Sequence, residues 1–315
     1  MKWVIIVLIV VAAALLYVGY MVFAGVLDFK DGYQEIADES SKDTDSDLMR
    51  PTSRRLTEYQ NQFLDNFYKH DFEELDIMSF DNLRLHGYLL KGNPKEVVIC
   101  VHGYKSKPEF DYCDKIEMYK KRGCTCLFVC DRAHGKSEGR YIGFSELDKY
   151  DVAKWVDKIN ELYDNPNIYL HGVSMGGATV IHCADMKLKN VKGIIDDCGF
   201  NSIRGITQAL FKISYGYPYF PVGYIAGMWS KLIAHIDFDA SIGEKCVANT
   251  DVPILFIHGK QDHFVPCYMS ENMYKVCNSP KELLIVEDAG HAACYMMAEE
   301  KYADAVNRLM NGEIK

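Results

Sequence analysis

The sequence predicts an α/β protein: a mostly parallel, twisted sheet with helices on both faces, preceded by a helix that crosses a membrane. Short apolar runs alternate with helical stretches over most of the chain, and a glycine-flanked serine stands where one such run meets the next helix. Runs that are apolar at every position suit strands buried on both faces of a parallel sheet. The first 27 residues are almost wholly apolar.

The bulk composition is that of a globular protein. Of 315 residues, 49% are hydrophobic and 25% are charged, and the formal net charge is −9. These proportions exclude a largely disordered chain. The negative charge, with no basic stripe, argues against a nucleic-acid partner. We expect one soluble domain of ordinary size, at residues 71–315.

Residues 3–27 contain no charged side chain and lie between Lys2 and Asp28. About 20 apolar residues cross a bilayer core, so this run is long enough to span it. A cleaved signal has a shorter apolar region of ~7–15 residues, and Val22-Phe23-Ala24 offers only a weak cleavage site. We therefore predict an uncleaved anchor at residues 1–27 that contacts the bilayer through residues 3–27.

The orientation of this anchor depends on a few charges. Lys2 and the terminal amine precede the span, whereas Lys30 and Lys42 follow it at a greater distance. The positive-inside rule then favours a single-pass protein with an extracytoplasmic domain, although the small difference leaves the cytoplasmic face open. Eleven cysteines scattered through predicted core elements suggest buried free thiols. Free thiols imply either a reducing exterior or a domain that faces the cytoplasm.

A polar tether follows the span. Residues 28–70 are rich in Asp and Ser in their first part and end in a short predicted helix at 56–68. A hairpin comes next, with strands at 72–80 and 83–90 around a turn at Asp81-Asn82.

The remaining elements alternate. The predicted strands are 97–101, 124–130, 168–170, 191–195, 254–257 and 283–286. The predicted helices are 112–121, 146–163, 178–186, 270–277 and 293–310.

Residues 199–249 interrupt this alternation. About fifty residues separate two strands, far more than a usual connection needs, and the segment is rich in aromatic residues. It is either an ordinary insertion with its own small core or a lid whose inner face accepts an apolar group.

The serine lies in the sequence Gly172-Val173-Ser174-Met175-Gly176-Gly177, between a predicted strand and a predicted helix. A serine between glycines at such a turn is typical of a nucleophile elbow, because the turn strains the backbone and small neighbours let strand and helix approach. The amide of Met175 would point toward the helix N-terminus, where an oxyanion can be held.

A serine nucleophile needs a histidine base oriented by a carboxylate. Asp262 follows the strand at 254–257, and His291 follows the last strand. Both should therefore lie at the carboxyl edge of the sheet, near Ser174. We predict Ser174, Asp262 and His291 as the catalytic residues.

Several other residues compete for these roles. Asp196 and Asp197 also end a strand, whereas Asp251 precedes its strand and would lie at the wrong edge. Among histidines, His258 ends a strand and is typical of a structural residue, and the side chain of His263 should diverge from the adjacent acid. His102 and His171 flank the motifs and are also assigned structural roles.

The order Ser174, Asp262, His291 resembles the α/β-hydrolase superfamily, and the resemblance extends over residues 72–310. Val101-His102-Gly103-Tyr104 is similar to the oxyanion loop of that superfamily, which implies the amide of Tyr104 as a donor beside that of Met175. Residues 131–137, DRAHGKS, resemble the D-x-R-G-H-G-x-S segment of the branch that contains monoacylglycerol lipases and serine aminopeptidases. Ala133 departs from that pattern, in which glycine is usual. We expect this segment to shape a loop.

The resemblance implies a serine hydrolase that cleaves carboxylic esters through an acyl-enzyme. The aromatic segment and the membrane span favour an acyl or lipid-like ester over a sugar ester. The resemblance implies no cofactor and no metal. A peptidase, with an acidic grip on a free amine from Asp237, Asp239 or Glu244, and a thioesterase remain open. The alternative of another class is a tethered binding module without chemistry.

Overall fold

A computed structural model describes residues 1–29, 54–214 and 216–315. Most of the predicted tether, residues 30–53, lies outside the described residues. Eight strands form one sheet in the order β1-β2-β4-β3-β5-β6-β7-β8. They are β1 (Glu73–Met78), β2 (Arg84–Leu90), β3 (Asn93–Val101), β4 (Cys124–Val129), β5 (Asn167–Val173), β6 (Val191–Asp197), β7 (Ile254–Gly259) and β8 (Lys281–Val286).

In the order given, the sheet is parallel from β4 to β8, and β2 pairs antiparallel with both β1 and β4. β1 and β2 form the predicted hairpin, in which the Leu83 amide donates to Ser79 Oγ at 2.8 Å and Asn82 has φ 67°. The apolar runs lie where both faces are covered, since β4 and β7 are buried at every position. The predicted α/β class is confirmed.

Helices lie on both faces of the sheet. They are α1 (Lys2–Leu27), α2 (Arg54–Tyr68), α3 (Pro108–Tyr112), α4 (Ile116–Arg122), α5 (Asp148–Leu162), α6 (Met175–His182), α7 (Ile203–Ser214), α8 (Val222–Trp229), α9 (Gly243–Ala248), α10 (Tyr268–Val276), α11 (Cys294–Met297) and α12 (Glu299–Met310).

The two faces of the sheet carry separate cores. Side chains alternate across a strand. In β3, Val98 and Cys100 pack with α2, α3, α4 and α12, whereas Val97 and Ile99 pack with α5, α6 and α10. All eleven cysteines are free and buried, as predicted from their scatter.

Two predicted helices are broken in the structure. The stretch 112–121 divides into α3 and α4 at Lys115. The buried Lys115 ammonium donates to the Asp111 carbonyl at 3.1 Å, which an uninterrupted helix would pair with the Lys115 amide, and that amide instead donates to the Tyr112 carbonyl. The stretch 293–310 divides into α11 and α12 at Ala298, which has φ −151° and ψ 50°.

The interval 199–249 holds α7, α8, a π-helical turn at Ser230–Ala234 and α9. Its buried residues Ile206 and Ala226 belong to a third hydrophobic cluster that also contains Met175, next to the elbow serine. The insertion therefore packs over the carboxyl edge of the sheet, where the site residues lie.

α1 is the one helix in the described part of the chain that is long and apolar enough to cross a membrane, a property that signal sequences share. Its last turns dock on the domain. Phe23 and Leu27 are buried in the third cluster, the Asp28 carboxylate pairs with Arg140 at 2.6 Å, and the Ile142 amide donates to the Leu27 carbonyl at 2.9 Å.

Candidate active site

Ser174 occupies a sharp turn between β5 and α6. Its backbone has φ 56° and ψ −114°, a strained combination for a residue with a side chain. Its amide donates to the Asp197 carbonyl at 2.8 Å, which ties the turn to β6. The turn holds the hydroxyl at the carboxyl edge of the sheet.

The flanking glycines are needed because strand and helix touch there. A Cβ on Gly172 would lie 2.0 Å from the Gly176 carbonyl oxygen, and one on Gly176 would lie 2.1 Å from that of Val101. Helix α6 begins at Met175, three residues earlier than predicted, and Gly176 and Gly177 are part of its first turn.

Gly176→Ala is expected to destabilise the protein by about 3 kcal/mol, because the added methyl group overlaps a carbonyl that belongs to the sheet. Thermal unfolding of the full chain in detergent measures the loss. Gly25→Ala is the matched control, since no atom lies within 4 Å of a Cβ at that position. Equal melting temperatures for the two variants would contradict the close approach.

Ser174, His291 and Asp262 form one hydrogen-bonded chain. Ser174 Oγ lies 2.8 Å from His291 Nε2, and His291 Nδ1 lies 2.7 Å from Asp262 Oδ2. The three residues are 6%, 6% and 5% exposed. Because a carboxylate only accepts, Nδ1 carries the proton, which leaves Nε2 to accept from the serine hydroxyl.

Asp262 is held by its own loop. Its Oδ1 accepts the amides of Phe264 at 2.9 Å and Val265 at 2.8 Å. Burial opposes ionisation, but the neighbouring His291 and His258 outweigh it and hold the pKa of Asp262 well below its usual range. The residue is therefore a carboxylate at neutral pH.

His258 supports this carboxylate from the other side. Its Nε2 lies 3.3 Å from Asp262 Oδ2 and donates to the Val265 carbonyl at 2.9 Å, while its Nδ1 accepts from Ser270 Oγ at 2.7 Å. Burial lowers the pKa of His258, but the hydrogen bond and charge of Asp262 outweigh it, so the net shift is upward. His258 is a structural histidine, and His263 points to solvent.

The competing acids make other contacts. Asp196 Oδ1 accepts the Gly199 amide at 2.9 Å, and Asp197 Oδ2 accepts from the Tyr302 hydroxyl at 2.9 Å. The same hydroxyl lies 2.9 Å from His171 Nε2, which places His171 in a buried structural network. Of the candidate acids, the structure brings Asp262 to the histidine at position 291.

Asp196 makes a pH effect on stability testable. Burial raises its pKa to about 7. A carboxyl group whose pKa is higher in the folded state than in the unfolded state contributes fully to stability at pH values below its unfolded pKa of about 3.9. This contribution to the free energy of unfolding is lost as the pH rises through the pKa of the folded state. Asp196→Asn should therefore reduce the loss of stability between pH 5 and pH 8 by about 1 kcal/mol or more.

Melting temperatures of both forms at the two pH values measure this difference. The exposed Asp185 supplies the matched variant, Asp185→Asn, which should keep the pH dependence of the wild type. An unchanged pH dependence in Asp196→Asn would show that the buried acid does not titrate in this window.

The loop after β3 lies against the serine. A Cβ on Gly103 would be 3.4 Å from the Ser174 Cβ, and the Gly103 amide donates to Asp111 Oδ2 at 2.7 Å. Burial raises the pKa of Asp111 to about 6, although its hydrogen bonds oppose this shift. The structure thus places Tyr104 in the loop that contacts the serine, and Met175 begins α6, where the first amides lack intrahelical partners.

The side chain of Tyr104 contacts the last turn of α1. Its hydroxyl donates to the Val26 carbonyl at 2.7 Å, and Lys105 Nζ donates to the Gly25 carbonyl at 3.2 Å. The last carbonyls of a helix have no partner within it, so they accept these donors. The last turn of α1 therefore contacts the predicted oxyanion loop.

Residues 131–137 make structural contacts. Arg132 binds both carboxylate oxygens of Asp151, at 2.7 and 2.8 Å, and Ser137 Oγ donates to the Cys130 carbonyl at 2.7 Å. Ala133 has φ 65°, a conformation that favours glycine, which explains why the related pattern has glycine there.

One group of side chains has the residue types of a metal site. Cys198 Sγ lies with oxygen and nitrogen atoms of Asp262 and His291 inside a 4.8 Å group. Burial holds the pKa of the Cys198 thiol well above its usual range, so the thiolate that a metal needs is disfavoured. The acid and the imidazole already form a hydrogen bond with each other. We therefore assign these side chains to the hydrogen-bonded relay of Ser174, His291 and Asp262.

Known proteins share these features. A family model described as "Serine aminopeptidase, S33" matches residues 92–205, which include the elbow and the loop after β3. Over this region the chain resembles the α/β-hydrolase superfamily, as the sequence predicted, and the likeness supports a hydrolase.

Sequence relatives of this chain include two bacterial proteins. It is 25% identical over 283 residues to the uncharacterized protein YqkD of Bacillus subtilis (strain 168), covering 86% of this chain and 88% of that one. It is 24% identical over 229 residues to the uncharacterized protein YfhR of Escherichia coli (strain K12), covering 70% and 73%. Both alignments cover most of each protein.

Solved structures of esterases share the fold. The Pyrococcus furiosus esterase Pf2001 superposes with a TM-score of 0.65 at 21% identity, over 78% of this chain and 92% of that one. Est1E from Butyrivibrio proteoclasticus, with ferulic acid bound, superposes with a TM-score of 0.59 at 22% identity, over 76% and 98%. At these identities the likeness establishes the fold alone.

Proposed function

We propose that this protein is a membrane-anchored serine hydrolase that cleaves carboxylic esters. Ser174 attacks the ester carbonyl while His291 takes the hydroxyl proton, and Asp262 orients the imidazole and stabilises its charged form. The amides of Tyr104 and Met175 hold the oxyanion. The imidazolium returns its proton to the leaving alcohol, and water then releases the acid from the acyl-enzyme by the same steps.

The hydrogen-bonded relay at the strained elbow carries this proposal. A serine with positive φ is costly to maintain, and here it directs its hydroxyl to an imidazole that is already bonded to an ionised carboxylate. A binding module would need none of these alignments. The complete relay therefore favours chemistry over a tethered binding role.

An ester with an apolar acyl group fits the surroundings of the serine. Met175 packs in one cluster with apolar residues of the insertion, such as Phe200, Ile206 and Ala226. An apolar wall next to the nucleophile favours an acyl chain over a sugar. A thioester would use the same relay.

An aminopeptidase is the second candidate, because the matching family model carries that description. It would need a free carboxylate to hold the substrate amine. The acids predicted for this role have partners: Asp237 pairs with Lys231, Asp239 pairs with Arg204, and Glu244 accepts from Asn201. These pairs favour an ester over a peptide substrate.

We also propose that α1 remains attached as the anchor. Cleavage after Ala24 would remove Phe23, which is 2% exposed and packs in the third cluster. It would also leave Gly25 and Val26, whose carbonyls accept hydrogen bonds from Lys105 and Tyr104, at a free chain end. A signal sequence destined for removal does not need such contacts.

The charges around α1 favour an extracytoplasmic domain in this proposal, with Lys2 on the cytoplasmic side. The free cysteines are compatible with that side, because all are buried. Burial raises the pKa of Cys100, Cys126 and Cys130, so the reactive thiolate is suppressed.

The test uses the full chain in detergent. A fluorophosphonate probe should label it, and kcat/KM for p-nitrophenyl esters should rise from acetyl to octanoyl as the acyl chain fills the apolar wall. Flat activity across acyl length would contradict the apolar acyl site. Preference for aminoacyl p-nitroanilides over all esters would reassign the protein as a peptidase.

A further inference from the structure

The segment around α8 has a surface unlike that of a soluble domain. Residues 213–230 contain no Asp, Glu, Lys, Arg or His. Six large apolar side chains of this region are at least 41% exposed: Ile213, Tyr217, Phe220, Tyr224, Met228 and Leu232. Soluble proteins rarely expose contiguous apolar surface of this kind without a partner.

This surface continues onto α1. Gly19 lets the two helices touch, since a Cβ there would lie 2.4 Å from Ile225 Cγ2. Trp229 Nε1 donates to the Leu16 carbonyl at 3.0 Å, and its ring meets that of Tyr20 edge-on with centroids 5.8 Å apart. A helix that contacts the span over this length shares the surroundings of the span.

The depth of this contact follows from helix geometry. At about 1.5 Å per residue, Leu16 lies roughly 16 Å along α1 from Leu27, where the helix reaches the domain. Trp3 and Tyr20 are about 25 Å apart by the same rule, near the thickness of a bilayer core with aromatic residues at both interfaces. Trp229 then lies at the level of the interface nearer the domain.

We propose that Ile213 and residues 216–232 lie in the phospholipid leaflet that α1 crosses next to the domain, at the boundary of headgroups and acyl chains. The occupant of the exposed apolar surface is therefore the bilayer, through tyrosine, tryptophan and aliphatic side chains suited to that region. The inference rests on the anchor proposed above and deepens the proposed function.

The position of this surface defines how a substrate arrives. The inner sides of α7 and α8 pack in the cluster of Met175, while their outer sides carry the exposed apolar residues. Ser174 is only 6% exposed, and the insertion packs beside it through the cluster that contains Met175. An ester that resides in the leaflet reaches the serine past these helices without crossing water.

The experiment compares single introduced cysteines in the full chain, labelled with an environment-sensitive fluorophore in phospholipid nanodiscs. Leu232→Cys tests the surface. Val10→Cys reports the span, and Leu162→Cys is the matched control at the opposite edge of the sheet; all three side chains are exposed. The native thiols are buried, so labelling is selective under native conditions.

Lipids that carry a quencher on the acyl chain should quench the fluorescence of the label at position 232 about twofold or more beyond that of the label at position 162. The quenching at position 232 should approach the quenching at position 10. Quenching at 232 equal to that at 162, with strong quenching at 10, would overturn the inference and leave the anchor intact. Weak quenching at all three positions would overturn both. Ester hydrolysis and probe labelling in solution test the enzyme separately from either result.

Discussion

Ser174→Ala is expected to reduce kcat for ester hydrolysis by about 10⁶-fold and to abolish fluorophosphonate labelling. In the proposed mechanism the hydroxyl oxygen forms the acyl-enzyme, and no other group in the relay replaces it. The backbone strain at this position does not depend on the hydroxyl, so the variant should keep the fold. Stopped-flow and steady-state assays with p-nitrophenyl esters measure the loss of activity, and thermal unfolding checks that the variant is folded.

Ser202→Ala is the control for this experiment. Ser202 Oγ accepts the Gly205 amide at 3.0 Å at the start of α7, so its loss affects a helix cap and not the relay. The control should retain labelling and turnover. Labelling that persists in Ser174→Ala would place the nucleophile elsewhere and remove the mechanism.

Asp262→Asn is expected to lower kcat by about 10⁴-fold with a small change in KM. The carboxylate accepts a hydrogen bond from His291 Nδ1. In the proposed mechanism it stabilises the imidazolium that forms when the serine gives up its proton. An amide can present its NH₂ group there, which favours the tautomer with a proton on Nε2. The imidazole then no longer accepts the proton from Ser174.

Asp196→Asn is the matched control, since the same change is made in a buried acid at the end of a neighbouring strand. It should retain turnover near neutral pH. Asp262→Glu should recover part of the lost activity, because it restores a carboxylate at a different distance. Full activity in Asp262→Asn with loss in Asp196→Asn would assign the orienting acid to β6.

Much of the fold follows from local pattern. Uninterrupted apolar runs such as 97–101 predicted strands covered on both faces, and the structure places this run in the middle of the sheet. The elbow was predictable for a steric reason, because only glycine fits where β5 and α6 meet. The order of strands in the sheet, by contrast, comes from the structure.

Other features depend on contacts between distant residues. Asp111 accepts a hydrogen bond from the Gly103 amide. It is one acid among many in the sequence, and no local pattern distinguishes it from the others. The contact of Tyr104 with Val26 joins two segments 78 positions apart. The break between α3 and α4 depends on the buried ammonium of Lys115. Such partners are visible only when the chain has folded.

The sequence by itself determined the apolar span, the alternation of strands and helices, and the three candidate relay residues, because each depends on residue type and spacing along the chain. The tertiary structure decided which acid meets His291, what the side chain of Tyr104 binds, and that the span packs along α8. These outcomes depend on distances of a few ångströms between elements, which local periodicity does not encode.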